Sequence, residues 1–331
     1  MFEAKPFRRI VIQVFIGVTI LLGSSIMMGL YGAWVSRISD ERKLLERNAS
    51  TVSTHVQRAL NDATKLVDIA HIRLQAELTK GALSQSRARS ILEETINHFT
   101  LYNVTEHFGL LFTTDATGNL YAQSNGPDKP LLNFADRYYF SDLKQHPHNR
   151  LTIGNLVFTR TTNRYAFHLA KPLQDQNGNF FGVVVQQILE DDLAESLAPM
   201  MSTHKDRVYT YAQNKQISFS YPPTQQHKKV DQPNATRLLD IVSKDGYTRN
   251  SLKLDGVDIG LAGTFYLGYA WSSEFGMYTV AVVSERLLLE QFLSQHLFTL
   301  GYSMLAFLVG CALFIMLYRQ AKNLERSRLL S

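Results

Sequence analysis

Two long apolar segments lie near the two ends of the chain. Ile10–Val35 and Leu297–Tyr318 contain no Asp, Glu, Lys or Arg, and each is longer than the ~20 residues with which a helix crosses ~30 Å of hydrocarbon. The sequence between them, roughly Ser36–His296, is polar enough to form a domain in water. The pattern therefore predicts two membrane-spanning helices that flank one large water-exposed domain.

The first apolar segment could be either a membrane anchor or a cleaved signal peptide, because its start, Met1–Arg9, is basic. A signal peptide has an apolar core of about 7–15 residues, whereas Ile10–Val35 is much longer and no clear A-x-A cleavage site follows it. We therefore expect an uncleaved anchor. The predicted boundaries at the chain ends are a tail at 1–9, spans at 10–35 and 292–318, and a second tail at 319–331.

The charge distribution predicts which side of the membrane holds the large domain. The chain has a formal net charge of +5, and Met1–Arg9 and Arg319–Ser331 carry all of this excess. Positive charge next to membrane spans marks the cytoplasmic side. We therefore expect both tails to be cytoplasmic and the large domain to be outside. The sequence pI of about 9.1 thus reflects topology and does not indicate nucleic-acid binding, which needs a basic face on the folded domain.

A single long helix is predicted from Val35 to Lys80, ending at Gly81, because no Gly or Pro interrupts this stretch. Apolar residues recur along it at alternating spacings of four and three. They are Leu45, Ala49, Val52, Val56, Ala59, Ala63, Leu66 and Ala70. Such an apolar stripe is typical of a coiled coil between two copies, but also of a helix that packs on its own domain's sheet. Both interpretations can hold at once, one in the lower and one in the upper half of the helix, and the first predicts a homodimer.

Runs of β-branched and aromatic residues, separated by Asp/Asn–Gly turns, predict two sets of strands. The runs are Gly109–Thr114, Leu120–Gln123, Tyr165–Ala170, Phe180–Ile188, Val208–Gln213, Gln216–Tyr221, Ser251–Leu254, Val257–Ala262 and Met277–Val283. Helical patterns cover Ser84–Phe99, Asp191–Met201 and Ser284–Gln295. The polar stretch Pro222–Pro233 is predicted to be an exposed loop. The order of elements predicts two small α/β units in succession after the long helix.

An ordered set of motifs gives a family resemblance. It consists of Asp136-Arg-Tyr-Tyr-Phe140, Thr152-Ile-Gly154, Arg160, Tyr165-Ala-Phe-His-Leu-Ala170 and Gly178-Asn-Phe-Phe-Gly-Val-Val-Val185. Between two membrane spans, this set resembles the double Cache sensor domains of bacterial diguanylate cyclases, histidine kinases and chemoreceptors. The resemblance covers roughly Ser36–Glu285.

The resemblance implies an α+β fold in which two PAS-like lobes with antiparallel sheets follow a long N-terminal helix. It assigns residues 36–200 to that helix and a membrane-distal lobe, and residues 201–291 to a membrane-proximal lobe. It also implies a bacterial inner membrane protein with a periplasmic domain.

In the resembled family the segment that starts at Asp136 lines the pocket of the distal lobe, which implies Arg137, Tyr139 and Phe140 as pocket residues. A guanidinium offers a fork of donors that matches a carboxylate, and aromatic neighbours supply pocket walls. Strand position adds four further candidates, which are Tyr121, Arg160, Tyr165 and His168. The alternatives are that Arg137 makes an ion pair with Asp136 or caps the backbone, and that the aromatic residues are ordinary core.

Gln187 departs from the pattern of the amino-acid-sensing members, which carry an Asp on the strand after G-V-V that holds the ligand's ammonium. A neutral amide cannot pair with a buried ammonium, whose desolvation then goes uncompensated. We therefore expect the ligand to be an anionic or neutral polar metabolite rather than an α-amino acid, with Gln187 as a pocket residue.

The resemblance and the two predicted spans together imply a membrane-anchored sensor, and we expect no enzyme activity, cofactor or metal. It contains no phosphate-binding or hydrolase motif, and the His146 and His148 pair lies in a loop without cysteine. The tail Arg319–Ser331 is too short for an output domain, so we expect a cytoplasmic output domain or protein that is missing from this chain. The main alternative is a ligand-free structural or assembly protein of the cell envelope.

Overall fold

The structure, a computed structural model of the chain, describes residues 4–81, 83–100, 107–125, 132–148, 151–201, 207–223, 234–244 and 251–330. The chain divides into two compact units, Met1–Glu41 with Glu285–Ser331, and Arg42–Ser284. Two antiparallel sheets and six α-helices make up the described part of the chain. The predicted α+β class is confirmed.

The elements have the following bounds. The helices are α1 (Ala4–Thr79), α2 (Gln85–Thr100), α3 (Tyr138–Gln145), α4 (Glu190–Leu197), α5 (Ala235–Lys244) and α6 (Glu285–Leu330). The strands are β1 (Phe108–Thr114), β2 (Leu120–Gln123), β3 (Thr152–Ile153), β4 (Val157–Phe158), β5 (Tyr165–Gln174), β6 (Phe180–Leu189), β7 (Arg207–Tyr211), β8 (Ile217–Tyr221), β9 (Ser251–Asp255), β10 (Thr264–Ser272) and β11 (Met277–Ser284).

The first unit contains the two apolar helical segments. Within α1 and α6, Ile12–Thr79 and Glu285–Gln320 are long and apolar enough to cross a membrane, by length and composition. Their most apolar windows have a mean hydropathy of 2.0 and 2.2, and none of either window is buried. The two segments contact each other through Phe15 and Phe314, whose rings stack with centroids 4.1 Å apart. Two apolar helices therefore flank the second unit in the sequence.

In the second unit, the apolar stripe of α1 packs against the chain's own sheets. All eight stripe residues are buried, and Val52 and Val56 are 0% and 1% exposed. A Cβ built on Gly268 of β10 would lie 2.3 Å from the carbonyl carbon of Leu45, so only glycine permits this approach of strand to helix. The interpretation of the stripe as a dimer interface is therefore wrong, although a homodimer through another surface stays a prediction.

The first sheet has the strand order β2-β1-β6-β5-β3, with β4 paired to β5. α1 lies on one face of it, where Gln75 of α1 exchanges two hydrogen bonds with the backbone of Gln174, at 2.8 and 3.0 Å. The opposite face carries a core into which α3 packs. This core consists of Phe112, Phe134, Tyr139, Phe140, Leu143, Ala170, Val183 and Val185. The sheet is thus covered by helices on both faces.

The second sheet has the order β8-β7-β11-β10-β9, which repeats the order of the first sheet when β4 is set aside. One predicted strand is wrong, because Gly256–Ile259 forms a 3-10 helix that ends at Gly260 with a φ of 78°. The strand that follows, β10, was not predicted, and neither were α3 and α5. The predicted loop Pro222–Pro233 lies outside the described residues from position 224 onward.

Candidate functional site

Three of the predicted site residues meet on the α3 face of the first sheet. His168 of β5 and Gln187 of β6 are direct partners across the two strands, so their side chains point to the same face. Tyr139 of α3 packs its ring against that of His168, with centroids 5.1 Å apart and planes inclined at 35°. All three side chains are buried, with exposed fractions of 2% for Tyr139, 3% for His168 and 0% for Gln187.

Arg137 lies next to this group as the residue immediately before α3. Its backbone is extended, with φ −83° and ψ 136°, and Nη2 donates to the carbonyl oxygen of Phe158 at 3.4 Å. Asp136 is instead held by Arg160, whose Nη1 and Nη2 donate to the two carboxylate oxygens at 3.0 and 2.7 Å. The expected alternative, an ion pair between Arg137 and Asp136, is thus replaced by a pair with Arg160. The guanidinium of Arg137 keeps donors that the described residues do not use.

Two buried polar atoms at the site have no hydrogen-bond partner among the described residues. They are Oη of Tyr139 and Nδ1 of His168. Leaving such an atom unsatisfied costs about 1–3 kcal/mol, and several other buried side-chain atoms of the described residues also lack a partner. Burial raises the pKa of Tyr139, and burial together with the charge of Arg137 lowers the pKa of His168 to about 3. At neutral pH the phenol is therefore protonated and the imidazole is uncharged.

Gln187 is fixed by its own neighbours. Its Nε2 donates to Oγ1 of Thr161 at 2.6 Å, and its Oε1 accepts from the backbone N–H of Leu110 at 3.3 Å. A Cβ built on Gly109 would lie 2.8 Å from Oε1, so a side chain at position 109 would push the amide out of this position. Both ends of the Gln187 amide are thus engaged inside the protein, and this position offers no negative charge.

The remaining predicted residues lie around or away from this group. Tyr165 packs edge-on against Phe158, at 5.4 Å, beside the carbonyl that Arg137 contacts. Phe140 belongs to the core of the first sheet and packs edge-on against Phe180 at 5.6 Å. Tyr121 of β2 donates from Oη to the carbonyl of Leu83 at 2.8 Å, which places its contacts at the start of α2 and not with Arg137.

Two residues that contact the site, Thr161 and Gly154, were not among the candidate site residues predicted from the sequence. Thr161 holds Gln187, and nothing in its local pattern indicates this contact. Gly154 lies against the aromatic pair, since a Cβ built on it would be 3.1 Å from Cδ1 of Tyr139 and 3.4 Å from Cβ of His168. The glycine within Thr152–Gly154 was part of the family pattern, and its position could have signalled this close approach.

Comparisons with known proteins support the fold. No protein-family model matches the sequence, and no curated protein matches it significantly. The extracellular domain of the predicted histidine kinase rpHK1S-Z16 superposes with a TM-score of 0.54 at 17% identity, covering 77% of this chain and 98% of its own. The ligand-binding domain of Mlp24 with asparagine superposes with a TM-score of 0.51 at 14% identity, covering 80% of this chain and 98% of its own. The predicted resemblance is confirmed, and the chain has the double Cache fold of extracellular sensor domains.

Proposed function

We propose that this protein is a membrane-anchored extracytoplasmic sensor that binds a small molecule in the lobe of the first sheet. The observation that carries the proposal is the pairing of two unsatisfied buried atoms, Oη of Tyr139 and Nδ1 of His168, next to the guanidinium of Arg137. Buried side-chain atoms without a partner occur elsewhere in the described residues as well, but here two of them belong to contacting rings beside a cationic group, and a ligand, an ordered water or an ion can satisfy such atoms. A bound molecule with hydrogen-bonding oxygens would satisfy both atoms and use the free donors of Arg137.

The chemistry of the site favours an anion, such as a carboxylate without an amine. Arg137 is cationic, Tyr139 is a protonated phenol, and Asp136 is already neutralised by Arg160. A carboxylate would receive charge-assisted hydrogen bonds from Arg137. An α-ammonium would need a carboxylate partner, and Gln187, which is engaged with Thr161, supplies none. The asparagine of the Mlp24 domain therefore does not set the ligand class here, because binding chemistry differs between proteins of one fold.

The proposal also covers how the chain crosses the membrane and where the signal goes. Residues 36–200 form a membrane-distal lobe and residues 201–291 a membrane-proximal lobe, outside a bacterial inner membrane. The two apolar helices cross that membrane and both basic tails are cytoplasmic. Ligand binding is passed to a cytoplasmic output domain or protein, in a homodimer, and the chain itself has no catalytic role.

A second function is favoured by the burial of the site. Tyr139, His168 and Gln187 together expose almost no surface, so the chain's own side chains fill this face of the sheet. This is what a ligand-free structural or assembly protein of the envelope would show. The two functions differ in whether any small molecule stabilises the folded protein.

A thermal-shift screen of the full chain in detergent tests the proposal. The compounds are pairs that differ only in the α-ammonium: propionate and alanine, succinate and aspartate, succinamate and asparagine. A ligand at a hundred times its dissociation constant adds about 2.7 kcal/mol to the free energy of unfolding. We expect stabilisation by at least one carboxylate and less by its amino-acid partner. Stabilisation mainly by amino acids would refute the ligand class, and no stabilisation by any compound would favour the structural function.

The Arg137→Gln variant tests whether the ligand binds next to Arg137. Loss of one charge-assisted contact should weaken binding of the best carboxylate about ten- to a hundredfold. Arg73→Gln is the matched control, because Arg73 is a half-exposed arginine that pairs with Glu94. Equal affinity in wild type and Arg137→Gln would show that the ligand binds elsewhere.

A further inference from the structure

One short segment, Gly154–Leu156, contacts both the candidate site and the second sheet. It lies between β3 and β4. On the side of the site, the backbone N–H of Gly154 donates to the carbonyl of His168 at 2.7 Å. The Cα of Gly154 lies so close to Tyr139 that even a methyl group there would approach Cδ1 to 3.1 Å. A movement of Tyr139 toward Gly154 therefore meets this backbone directly.

On its other side, the segment is hydrogen-bonded to β8 and to the turn before it. The backbone N–H of Leu156 donates to the carbonyl of Ile217 at 2.8 Å. The carbonyl of Gly154 accepts from Oγ of Ser218 at 3.3 Å, and Oδ1 of Asn155 accepts from Nδ2 of Asn214 at 2.6 Å. Three consecutive residues are thus each tied to β8, the edge strand of the second sheet, or to the turn before it.

Paired strands of the second sheet link β8 to the strand that precedes α6. β8 pairs with β7, and β7 pairs with β11. β11 ends at Ser284, and α6 begins at the next residue, Glu285. Ser218 is fully buried, and packed interiors transmit displacements because they have few voids to absorb them.

We propose that Gly154–Leu156 is the coupling segment through which the Tyr139–His168 face acts on the second sheet. The inference rests on the proposed function for its trigger, which is occupancy of that face. The contacts single out β8 as the strand that responds. β9, at the opposite edge of the same sheet, has no hydrogen bond to the segment among the described residues.

Hydrogen exchange on the full chain in lipid nanodiscs tests the coupling without any ligand. Tyr139→Ala removes the ring that lies on Gly154. We expect amide exchange to become roughly two- to tenfold faster in peptides covering 154–158 and β8, which is the change that loss of about one hydrogen bond would cause. Exchange in β9 should not change. The control is Tyr121→Ala, which removes the same side chain from β2 of the same sheet, where it contacts Leu83. Unchanged exchange in β8, or equal acceleration by Tyr121→Ala, would overturn the proposal.

The reverse experiment covers the case in which Tyr139→Ala does not fold. Coupling is reciprocal, so Ser218→Ala should accelerate exchange in the peptide covering 151–156. Ser220→Ala is its control, since Ser220 is equally buried on β8 but bonds to Glu190. Equal effects of the two serine variants on this peptide, or no effect, would refute the coupling. Failure of the proposed function would instead appear in the thermal-shift screen and leave these exchange results standing.

Discussion

The ring of Tyr139 packs against the ring of His168, with 5.1 Å between their centroids, and each ring carries one buried polar atom without a hydrogen-bond partner among the described residues. The two residues come from α3 and β5. Gly154 lies against both residues, where a Cβ would be 3.1 Å from Cδ1 of Tyr139 and 3.4 Å from Cβ of His168. This pair is the centre of the proposed ligand site and the start of the proposed coupling to the second sheet.

The uncharged state of His168 should make stability depend on pH. Its pKa is lowered to about 3 in the folded protein, whereas an unfolded histidine has a pKa near 6.5. Between these values the unfolded chain binds a proton that the folded chain does not, so the free energy of unfolding falls as the pH falls. His168→Gln should reduce this slope by up to about 1.4 kcal/mol per pH unit, measured by chemical denaturation.

His146→Gln is the control for this pH dependence. The His146 side chain is 61% exposed, so this variant shows how far replacement of a surface histidine alone changes the measured slope. If His168→Gln also keeps the full wild-type slope, His168 is not the buried neutral group described above.

The approach of α1 to β10 at Gly268 should tolerate no side chain. A Cβ there would lie 2.3–2.5 Å from backbone atoms of Leu45 and Glu46, and overpacking of this kind typically destabilises by about 1–3 kcal/mol or more. We expect Gly268→Ala to lower the melting temperature clearly. Gly301→Ala in α6, where a Cβ meets nothing within 4 Å, should not. Equal melting temperatures for the two variants would contradict this packing of α1.

Chemical labelling should show that the apolar stripe of α1 is buried within one chain. In a Cys311→Ser background, Val52→Cys should react slowly with maleimide and form no disulfide between copies, because position 52 is fully buried. Lys65→Cys should react quickly, since the Lys65 side chain is 65% exposed. Rapid crosslinking through position 52 would restore the dimeric interpretation of the stripe.

Most secondary structure could be predicted because its signals are local. The unbroken helix of α1, the Asp/Asn–Gly turns at Asp115–Asn119 and Asp175–Asn179, and the strands around them follow from neighbouring residues. Asp175, for example, accepts from the backbone N–H groups of Asn177 and Asn179, at 2.8 Å each, within its own turn. α3 was not predicted although α4, which is equally short, was, because α4 begins with three acidic residues that are typical of a helix start and α3 has none.

The packing partners of these elements could not be predicted in the same way. The stripe of α1 looks the same whether it meets a second copy or its own sheets, and only the close approach at Gly268 decides the matter. The motif around Arg137 indicated the region of the site. The bond between Gln187 and Thr161 depends on the loop between β4 and β5, which local patterns do not place.

Reporter fusions test the predicted topology. Alkaline phosphatase, which is active only outside the cytoplasm, should be active when fused after Lys129 and inactive when fused after Ser331. We expect this because the two tails carry the whole excess of basic residues, and such an excess next to membrane spans marks the cytoplasmic side. Activity of the fusion after Ser331 would contradict the two-span arrangement with cytoplasmic ends.

The most direct test of the account is Tyr139→Phe, which removes Oη and leaves the ring on His168. Without ligand, this variant should be as stable as wild type or more stable, because it removes an unsatisfied buried hydroxyl. Its affinity for the carboxylate that gives the largest thermal shift, measured by isothermal titration calorimetry, should fall about two- to tenfold. A variant that loses stability without ligand and binds the carboxylate as tightly as wild type would contradict the proposed site.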